Sequence, residues 1–576
     1  MCLEKINAAG TYDVEAGIAI ITLDSPPVNA LSVAVRAAIV DGLQRAHADS
    51  AVQAVVLICA GRTFIAGADL SELGKQARPP SFEEMIEVLE SGPKPVIAAI
   101  HGNALGGGFE TALLCHYRVA VPSAKLGLPE VLLGLLPGGG GTQRLPRIIG
   151  VEAALDLIVT GRSIGAAEAR KLGILDAVTQ EGELRAGARA FARDAVAANR
   201  PLRRIRDRED MLEAARRRPE IFADYREKNQ ELFRGVKAPG YILEAVRNVL
   251  DLPFDEGIAK ERALINALLA GRESAALRYM FFAEREAGKI IGLPNAVLLP
   301  AIDTVAILDA DEAAGGLQQI FAKAGLAVTG PEGAGAADLM VIATLEADDF
   351  ARLAALAKPQ AVFAVSAAAD LDLFGRATGK AGQVIGLRVA GRLLELCRGA
   401  DTAAETIAAA MQLGRKTGKL AMLCKGDFVS GRMTAMRATV IEQLESDGVT
   451  AEEISSVLYE YGFPGSPAPA EFGLPESRAQ YIREALLFPL INTGAALLAD
   501  GVVQRASDID AAMVAGFGWP AYTGGPMFWA ATVGLPQVVA GLARLRPRFG
   551  DAFKAHALLD SLANTGRNFQ SEDRNG

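Results

Sequence analysis

The amino-acid sequence predicts a multidomain α/β protein, and three observations support that fold class. The chain has 576 residues, which at about 150 residues per domain corresponds to roughly four domains. Short apolar runs rich in β-branched residues alternate with helical stretches in the N-terminal third, and again over residues 304–386. Residues 191–291 and the chain beyond residue 390 show helical periodicity instead. We therefore expect two α/β regions, each followed by a helical region.

The first α/β region contains three predicted strands and one clear helix. The strands are the apolar runs GIAIITLD, AVVLICAG and PVIAAIH, at residues 17–24, 54–61 and 95–101. A helix is expected over residues 33–48, between the first two strands. This alternation is typical of α/β structure.

The second α/β region is short for a complete nucleotide-binding fold. Its predicted strands lie at residues 305–308, 339–343 and 361–365. Beyond it the sequence is helical and contains a weak repeat, in which LESDGVTAEEISSVLYEYGFP resembles LLADGVVQRASDIDAAMVAGFGWP. Two similar helical units in tandem explain this repeat.

These patterns divide the chain into five expected segments. They are an α/β core, a helical tail that ends in a connector helix, a truncated nucleotide-fold remnant and two helical C-terminal domains. The connector is the segment YMFFAEREAGKI. The expected bounds of the five segments are 1–190, 191–296, 297–390, 391–478 and 479–576.

Composition and charge argue against several functional classes. The net charge is −9 and no block of Lys and Arg could follow a phosphate backbone, so nucleic acid is not an expected partner. The five cysteines are scattered without the close pairs of a zinc site or a disulfide framework, so no metal site is expected. No apolar run approaches the roughly 18 residues that span a bilayer, and neither MCLEKINAAG nor SEDRNG is a targeting signal. A cytoplasmic protein without a membrane span is expected.

Histidine is rare in this chain, which narrows the chemistry further. The four histidines are His47, His101, His116 and His556. No imidazole base is available between His116 and His556. A mechanism that needs such a base must therefore lie near the N-terminal end or be absent.

The densest functional signal lies in two glycine-rich pieces, RTFIAGADLSEL at residues 62–73 and a longer segment at residues 101–146. In the longer segment, three successive glycines at 106–108 precede an expected helix. They would let a backbone N–H point into a cavity, where the helix dipole favours negative charge. The turn AGAD can present a second N–H, from Ala68. Together the two groups would form an oxyanion hole.

Two carboxylates accompany these turns, Glu110 on the expected helix and Glu130 in a loop bounded by glycine and proline. A carboxylate pair that faces an oxyanion hole can hold a water molecule and move protons at a carbon next to a thioester. Structural explanations are also open at this point. Glycine triplets serve turns, Glu110 could complement the helix dipole, and Glu130 could be a solvated loop charge.

The two pieces resemble the crotonase (enoyl-CoA hydratase/isomerase) superfamily, whose characteristic sequence motifs are AGAD, GGGxE and GLPEVxLGxxPGxGGTQRLPR. The resemblance implies a ββα spiral fold in which Ala68 and Gly107 hold the enolate oxygen of a thioester. It also implies that Glu110 deprotonates a water that adds to C3 of a trans-2-enoyl-CoA, while Glu130 delivers a proton to C2. Having both acids favours hydration, with isomerisation as a second activity. An isomerase or a carbon–carbon lyase acting on a specialised CoA thioester is the alternative.

The resemblance makes acyl-CoA the expected substrate, without a metal or redox cofactor for this reaction. Because the phosphates of CoA need cationic neighbours, two basic residues are candidates, although each could equally be a solvated surface charge. The candidate CoA contacts in and beside the AGAD turn and in the connector are Ala66, Gly67, Asp69, Arg62 and Lys289.

From the connector onwards the chain resembles the bifunctional fatty-acid oxidation proteins, in which a hydratase is fused to an L-3-hydroxyacyl-CoA dehydrogenase. The chain departs from that family where the dehydrogenase chemistry lies. Asp309, Asp311 and Ala314 stand at the glycines of the NAD-binding GxGxxG turn, and the segment with the ribose-binding acid is missing. Arg388 stands at the catalytic histidine, while the acid that would orient that histidine, Glu395, is retained.

Two further family motifs are altered in the same half. The NTS motif reads Ser366, Ala367 and Ala368, and Gly431 stands at the asparagine of GFxxNR. These changes predict a truncated Rossmann-like domain that binds no NAD, in a dehydrogenase half that is inactive and structural. Its role stays open. It could brace the hydratase, cover the acyl pocket, bind acyl-CoA, or dock a thiolase-type enzyme or a second copy of the chain.

Overall fold

The computed structural model describes residues 4–72, 78–291, 301–308, 312–342, 352, 354–366, 371–465 and 473–572, without the side chains of 312–315 and 572. Five predicted positions lie outside this description, the last as a side chain only: Asp309, Asp311, Ala367, Ala368 and Ala314. The chain forms two compact units, Met1–Ala275 and Ala276–Gly576. The multidomain α/β prediction is confirmed, while the division into five segments stays a prediction.

The first unit contains a seven-stranded sheet and a three-stranded sheet. Its strands are β1 (Glu4–Asn7), β2 (Gly10–Glu15), β3 (Ile18–Leu23), β4 (Ala54–Cys59), β5 (Val96–Ile100), β6 (Asn103–Leu105), β7 (Tyr117–Ala120), β8 (Lys125–Gly127), β9 (Ser163–Gly165) and β10 (Ala177–Val178). The large sheet has the order β1-β2-β3-β4-β5-β7-β10 and is parallel from β3 onwards, and the small sheet has the order β6-β8-β9. All three predicted strands are present, as β3, β4 and β5. Both β4 and β5 are buried along their whole length, as expected for parallel strands covered by helices.

Eleven helices of the first unit surround these sheets in the described residues. They are α1 (Val33–Ala48), α2 (Phe82–Ser91), α3 (Gly107–Leu114), α4 (Gly141–Ile149), α5 (Val151–Thr160), α6 (Ala166–Lys171), α7 (Leu184–Ala197), α8 (Glu213–Arg216), α9 (Ile221–Lys228), α10 (Ala238–Asp251) and α11 (Phe254–Leu269). Helix α1 has the predicted bounds, because the hydroxyl of Ser32 accepts a hydrogen bond from the N–H of Val35 and caps its start. Helices α10 and α11 both pack on α4 and so belong to this unit.

Residues 279–287 of the connector segment lie in the next helix, α12 (Arg272–Ala287), and its last three residues follow that helix. Met280, Ala283 and Ala287 of this helix are buried in a hydrophobic core formed with residues of the second unit. The apolar face of the connector is therefore part of the core of the second unit.

The second unit contains a second seven-stranded sheet. Its strands are β11 (Thr304–Ile307), β12 (Ala327–Thr329), β13 (Leu339–Ile342), β14 (Val362–Val365), β15 (Val384–Ala390), β16 (Leu393–Arg398) and β17 (Leu420–Lys425). The order is β12-β11-β13-β14-β15-β16-β17, and every neighbouring pair except β15 and β16 is parallel. Two strands, β16 and β17, lie beyond residue 390, where the sequence predicted the start of a helical domain. Their short apolar runs were not separated from helical periodicity by sequence alone.

The outer edge of this sheet agrees with a shortened nucleotide fold. A complete doubly wound fold has a third strand outside the second one. Here β12 follows β11 through helix α13 (Glu312–Lys323), and no strand of the described chain pairs with the outer side of β12. The sequence predicts a missing segment at this position, and this deletion stays a prediction.

The rest of the second unit is mainly helical. Its helices are α14 (Leu371–Thr378), α15 (Ala404–Thr417), α16 (Val429–Ser446), α17 (Ala451–Tyr461), α18 (Glu476–Ala499), α19 (Ala506–Phe517), α20 (Pro526–Val533), α21 (Leu535–Phe549) and α22 (Ala557–Thr565). By length and composition α18 could cross a membrane, and the bent pair α20 and α21 passes the same test together with the turn that follows it. However, 78% of the apolar window of α18 is buried inside the protein, as in the core helix of a globular domain.

The two repeated sequence segments fold in the same way. Each forms a helix, α17 in the first repeat and α19 in the second. A buried valine precedes each helix, Val449 or Val502. A glycine with positive φ ends each helix, Gly462 at +114° or Gly518 at +68°. The tandem helical arrangement predicted from the repeat is therefore present.

Candidate active site

Close backbone approach requires glycines at residues 106–108, where α3 begins. Gly106 has a φ of +52°, which favours glycine, and it leads from β6 into the helix. A Cβ on Gly108 would lie 1.9 Å from the carbonyl oxygen of Ile65, a distance that no side chain can tolerate. The triplet therefore brings the N-terminus of α3 against the chain that precedes the AGAD turn.

This approach places two backbone N–H groups beside each other. A Cβ on Gly107 would lie 3.5 Å from the backbone nitrogen of Ala68. The AGAD turn is held by the N–H of Leu31, which donates to the carbonyl of Gly67 at 2.9 Å, and Gly67 has a φ of +118°. Within the described residues, neither the Ala68 nor the Gly107 N–H donates a hydrogen bond to a protein group. Both groups are available to a ligand, at the predicted positions.

Glu110 lies one turn into α3 and is 4% exposed. Its Oε1 accepts hydrogen bonds from the N–H groups of Gly139 and Gly141, at 2.7 and 2.8 Å. Burial raises the pKa of Glu110, whereas these two N–H groups and the Arg144 guanidinium oppose the rise. The carboxylate is thus a buried group whose charged form receives specific support.

Glu130 begins the short 3-10 helix Glu130–Leu133, next to the same glycine turn. A Cβ on Gly106 would lie 3.1 Å from its Oε1. Its Oε2 is buried and has no hydrogen-bond partner among the described residues. Burial, followed by the negative charge of Glu110, raises the pKa of Glu130 well above its usual range. The two predicted carboxylates are thus close enough to influence each other.

A third buried carboxylate, Glu261 of α11, was not predicted from the sequence. It accepts hydrogen bonds from the N–H groups of Gly140 and Thr142, at 2.8 and 3.2 Å, and from the hydroxyl of Thr142. Burial, followed by the charge of Glu110, raises the pKa of Glu261 to about 8. Glu261 stands in the charged run AKER and carries no sequence signal of its own. The only available signal was the glycine-rich loop, whose backbone N–H groups need acceptors.

The predicted CoA contacts fall into two groups. Ala66, Gly67 and Asp69 lie in the AGAD turn beside the Ala68 N–H. The carboxylate of Asp69 accepts a hydrogen bond from the N–H of Ser71 at 2.9 Å. Arg62 is exposed just before the turn. Lys289 is exposed in the second unit, and its ammonium group forms an ion pair with Glu286 at 2.6 Å.

The second unit has a cavity of about 440 Å³ at the predicted dehydrogenase positions, lined among others by Ser366 and Arg388. Nε of Arg388 donates to the carbonyl of Ser366 at 3.2 Å, and its guanidinium lies 4.4 Å from the centre of the Phe428 ring. Glu395 is paired with Arg388 across β15 and β16 and is fully buried. A Cβ on Gly431 would lie 3.1 Å from Nη1 of Arg388. Ser366 and Arg388 therefore line one cavity, while Glu395 and Gly431 lie next to Arg388.

The fold and site of the first unit define its class. A glycine-rich helix N-terminus beside coupled buried carboxylates, on this α/β frame, is the arrangement predicted for the crotonase fold. A model of the family Enoyl-CoA hydratase/isomerase matches residues 13–238, and a model of the 3-hydroxyacyl-CoA dehydrogenase C-terminal domain matches residues 481–575. The chain thus carries an enoyl-CoA hydratase/isomerase domain, as the sequence predicted.

Full-length relatives identify the family more closely. The Peroxisomal bifunctional enzyme of Danio rerio is 31% identical and that of Homo sapiens 30% identical, and in each case the alignment covers 92% of this chain and 93% of the relative. The Peroxisomal fatty acid beta-oxidation multifunctional protein of Arabidopsis thaliana is 26% identical, with 96% of each chain covered. This chain belongs to the peroxisomal bifunctional enzyme family. The Danio rerio alignment runs over 674 positions against 576 residues here, so that relative contains segments that this chain lacks.

The prediction that this chain binds no NAD is wrong. The dehydrogenase family match and the bifunctional relatives imply an NAD-binding dehydrogenase domain. Parallel strands β11, β13 and β14, with α13 after β11, provide the frame that such a domain uses. The prediction relied on charge and bulk at Asp309, Asp311 and Ala314 and on a missing ribose-binding segment. Residues 309–311 lie outside the described residues. The dehydrogenase family match covers residues 481–575, beyond these positions.

The cytoplasmic prediction is contradicted as well. The relatives are named as peroxisomal enzymes, and their names point to peroxisomes. The error has a physical reason, because composition and cysteine usage report a reducing compartment without distinguishing one organelle from another. As to metals, the described part of the chain contains no group of three or more His, Cys, Asp or Glu that could hold an ion.

Proposed function

We propose that the first unit hydrates trans-2-enoyl-CoA, with Glu110 as the base and Glu130 as the acid. The observation that carries this proposal is the unequal surroundings of the two coupled carboxylates. Glu110 accepts two backbone N–H bonds, which favour its charged form, whereas Oε2 of Glu130 has no partner among the described residues. The charge of Glu110 further raises the pKa of Glu130. These surroundings favour the charged form of Glu110 and the protonated form of Glu130.

Hydration uses the two groups in these opposite protonation states. Glu110 takes a proton from water as the water oxygen bonds to C3, and Glu130 gives its proton to C2. Negative charge develops on the thioester oxygen during this addition, and the N–H groups of Ala68 and Gly107 are placed to stabilise it. After product release, the proton gained by Glu110 returns to Glu130 through solvent, which restores the starting pair.

The proposal is tested with crotonyl-CoA, whose conjugated double bond absorbs until water adds. Glu110→Gln and Glu130→Gln should each lower kcat by about 100-fold or more with little change in KM, because a positioned base or acid is removed while binding contacts stay. The matched control is Glu256→Gln, which removes an exposed carboxylate from α11 and should leave kcat unchanged. Unchanged hydration by Glu110→Gln would overturn the assignment.

Isomerisation of 3-enoyl-CoA is the second candidate activity of the same site. It needs one group to move a proton between two carbons, and the unpaired Oε2 of Glu130 could do this without a water molecule. Crotonyl-CoA and a 3-enoyl-CoA assayed side by side separate the two activities. In Glu110→Gln, isomerisation should persist while hydration is lost, because only hydration needs the second carboxylate.

We further propose that the second unit does not oxidise 3-hydroxyacyl-CoA. Oxidation requires a base for the hydroxyl proton, and the position of the family histidine is occupied by Arg388, whose guanidinium has hydrogen-bond donors and no acceptor. His556, the single histidine of this unit, caps α22 by accepting from the N–H of Leu558 at 3.2 Å. NADH formation from a 3-hydroxyacyl-CoA is the assay, with NAD binding measured separately by calorimetry. Binding without turnover supports the proposal, and turnover would overturn it.

A further inference from the structure

The loop at residues 139–142 is held by two buried carboxylates from different helices. Glu110 of α3 accepts the first and third backbone N–H groups of this loop, at 2.7 and 2.8 Å. Glu261 of α11 accepts the second and fourth, at 2.8 and 3.2 Å, and the hydroxyl of Thr142 as well. Four successive N–H groups therefore alternate between the two acids. Rotation of any one peptide unit would break a bond on one side or the other.

One face of α11 supports this loop along its whole length. Gly257, Glu261 and Ile265 are spaced four residues apart and so lie on the same side of the helix. A Cβ on Gly257 would lie 2.3 Å from Oε1 of Gln143, which shows how closely the helix approaches one end of the loop. At the other end, Cδ1 of Ile265 would lie 2.5 Å from a Cβ on Gly138. Glu261 is thus the polar centre of a tight contact.

This contact comes from outside the part of the chain that matches the hydratase family. The match ends at residue 238, and α11 begins at residue 254. The helical extension of the first unit therefore does more than cover its core, since it delivers a buried acid to the loop that holds Glu110.

We propose that Glu261 is a positioning residue for Glu110. By accepting the second and fourth N–H groups, Glu261 fixes the peptide orientations that aim the first and third N–H groups at Glu110. The inference rests on the proposed function of Glu110 as the base. A burial role alone would be served by an apolar side chain, whereas a buried carboxylate with three donors is costly unless those donors must be held.

The charged groups around this loop are few. Arg144 donates from Nη1 to the carbonyl of Gly139 at 3.0 Å, and its Nε pairs with Glu90 at 2.9 Å. The charge of Glu110 also acts on Glu130. Arg144 is the cation that offsets the charges of Glu110 and Glu261.

The test compares Glu261→Gln in the full-length chain with two reference proteins. Glutamine keeps the volume of Glu261 and one acceptor oxygen, but its amide NH₂ cannot accept the N–H of Thr142. We expect kcat for crotonyl-CoA hydration to fall by about 10- to 100-fold and KM to change by less than about 3-fold, as for a displaced catalytic group. Glu256→Gln, the same substitution at an exposed site of α11, should match the unaltered chain.

A second measurement separates positioning from general destabilisation. In a Glu110→Gln background, adding Glu261→Gln should change the residual kcat by less than about 2-fold, because a positioning residue has nothing left to position. Equal losses in both backgrounds, or an unaltered kcat in Glu261→Gln, would overturn the inference. If Glu110→Gln itself hydrates normally, the proposed function fails instead. Should Glu261→Gln not fold, Thr142→Val removes the hydroxyl that donates to Glu261 and that accepts from Nε2 of Gln143. This variant should lower kcat by about 3-fold, and an unchanged value would overturn the inference.

Discussion

The two units each bury a glutamate beside a cleft, and they differ in the groups around it. Glu110 of the first unit accepts two backbone N–H bonds and interacts with a second carboxylate, Glu130. Glu395 of the second unit accepts hydrogen bonds from the N–H of Ser430 at 3.2 Å and from the thiol of Cys424 at 3.3 Å. Arg388 is its partner residue on the neighbouring strand β15. Burial raises the pKa of both Glu110 and Glu395.

Under the proposed functions, burial of an acid does not by itself make a catalytic group. In the first unit the neighbour of the buried acid is a second carboxylate, which can donate a proton. In the second unit the neighbouring strand offers an arginine, whose guanidinium has hydrogen-bond donors and no acceptor. Both sheets keep their apolar cores, so the fold of each unit is maintained by residues other than those that decide its chemistry.

The largest expected effect contrasts a glycine from each cleft. Gly108→Ala would place a Cβ 1.9 Å from the Ile65 carbonyl oxygen, which is backbone and cannot rotate away. The start of α3 must then move, and the Gly107 N–H and Glu110 move with it. We expect hydration to fall by about 100-fold or more, together with a loss of stability of about 1–3 kcal/mol.

Gly431→Ala is the matched change in the second unit. The nearest atom to its Cβ would be Nη1 of Arg388 at 3.1 Å, the end of a flexible side chain. Since Gly431 lies within α16, alanine should leave stability within about 1 kcal/mol of the unaltered chain. Crotonyl-CoA hydration and urea unfolding check both variants. Normal hydration by the Gly108→Ala protein would contradict the expected difference between these two glycine positions.

The fold was largely predictable, because the patterns that specify it are local. The strand runs at β3, β4 and β5 and the helix α1 are continuous segments of one periodicity, and the repeat located α17 and α19. The sheet boundary at residue 390 was not predictable in this way. Strands β16 and β17 are short and are separated by helix α15, so only their pairing with β15 assigns them to the sheet.

The candidate site was predictable from sequence only where its acids lie in the same motifs as its glycine turns. The turns at Ala68 and Gly107 and the acids Glu110 and Glu130 all belong to recognisable motifs. Glu261 joins the site through three long-range hydrogen bonds, from a helix whose charged residues otherwise face solvent. The N–H groups of a buried loop need hydrogen-bond acceptors, and these can come from a residue distant in sequence. The sequence alone therefore does not show which residue supplies them.

A smaller effect distinguishes the acid stability of the two units. His116 lies in the first unit, and its Nδ1 accepts the Val96 N–H at 3.1 Å, which requires a neutral ring. Burial, with the charges of Arg204 and Arg118, lowers the pKa of His116 to about 4 from a usual value of 6.5. The native state disfavours protonation of His116, so the contribution of its neutral ring to the free energy of unfolding is fully present above pH 6.5. The free energy of unfolding falls by about 3 kcal/mol on this account as the pH falls toward 4.

The two units can be followed separately in this experiment. Both tryptophans of the chain, Trp519 and Trp529, lie in the second unit, so their fluorescence reports its unfolding, while hydration activity reports the first unit. Between pH 7.5 and 5, the urea midpoint for loss of activity should fall. The midpoint of the His116→Gln variant, which keeps an acceptor for the N–H of Val96, should fall less. An equal fall in the variant would show that other groups control the acid response of the first unit.

The smallest expected effect concerns the binding of CoA by exposed cations. Arg62 is exposed beside the AGAD turn, whereas Lys289 in the second unit is already paired with Glu286 at 2.6 Å. We therefore expect Arg62→Gln to raise KM for crotonyl-CoA by about 3-fold at low salt and Lys289→Gln to change it less, because exposed charges contribute little and are screened. KM measured at low and high salt checks this, since the Arg62 effect should vanish at high salt. If Lys289→Gln gave the larger and more salt-sensitive change, the assignment of Arg62 as the cation for the CoA phosphates would be wrong.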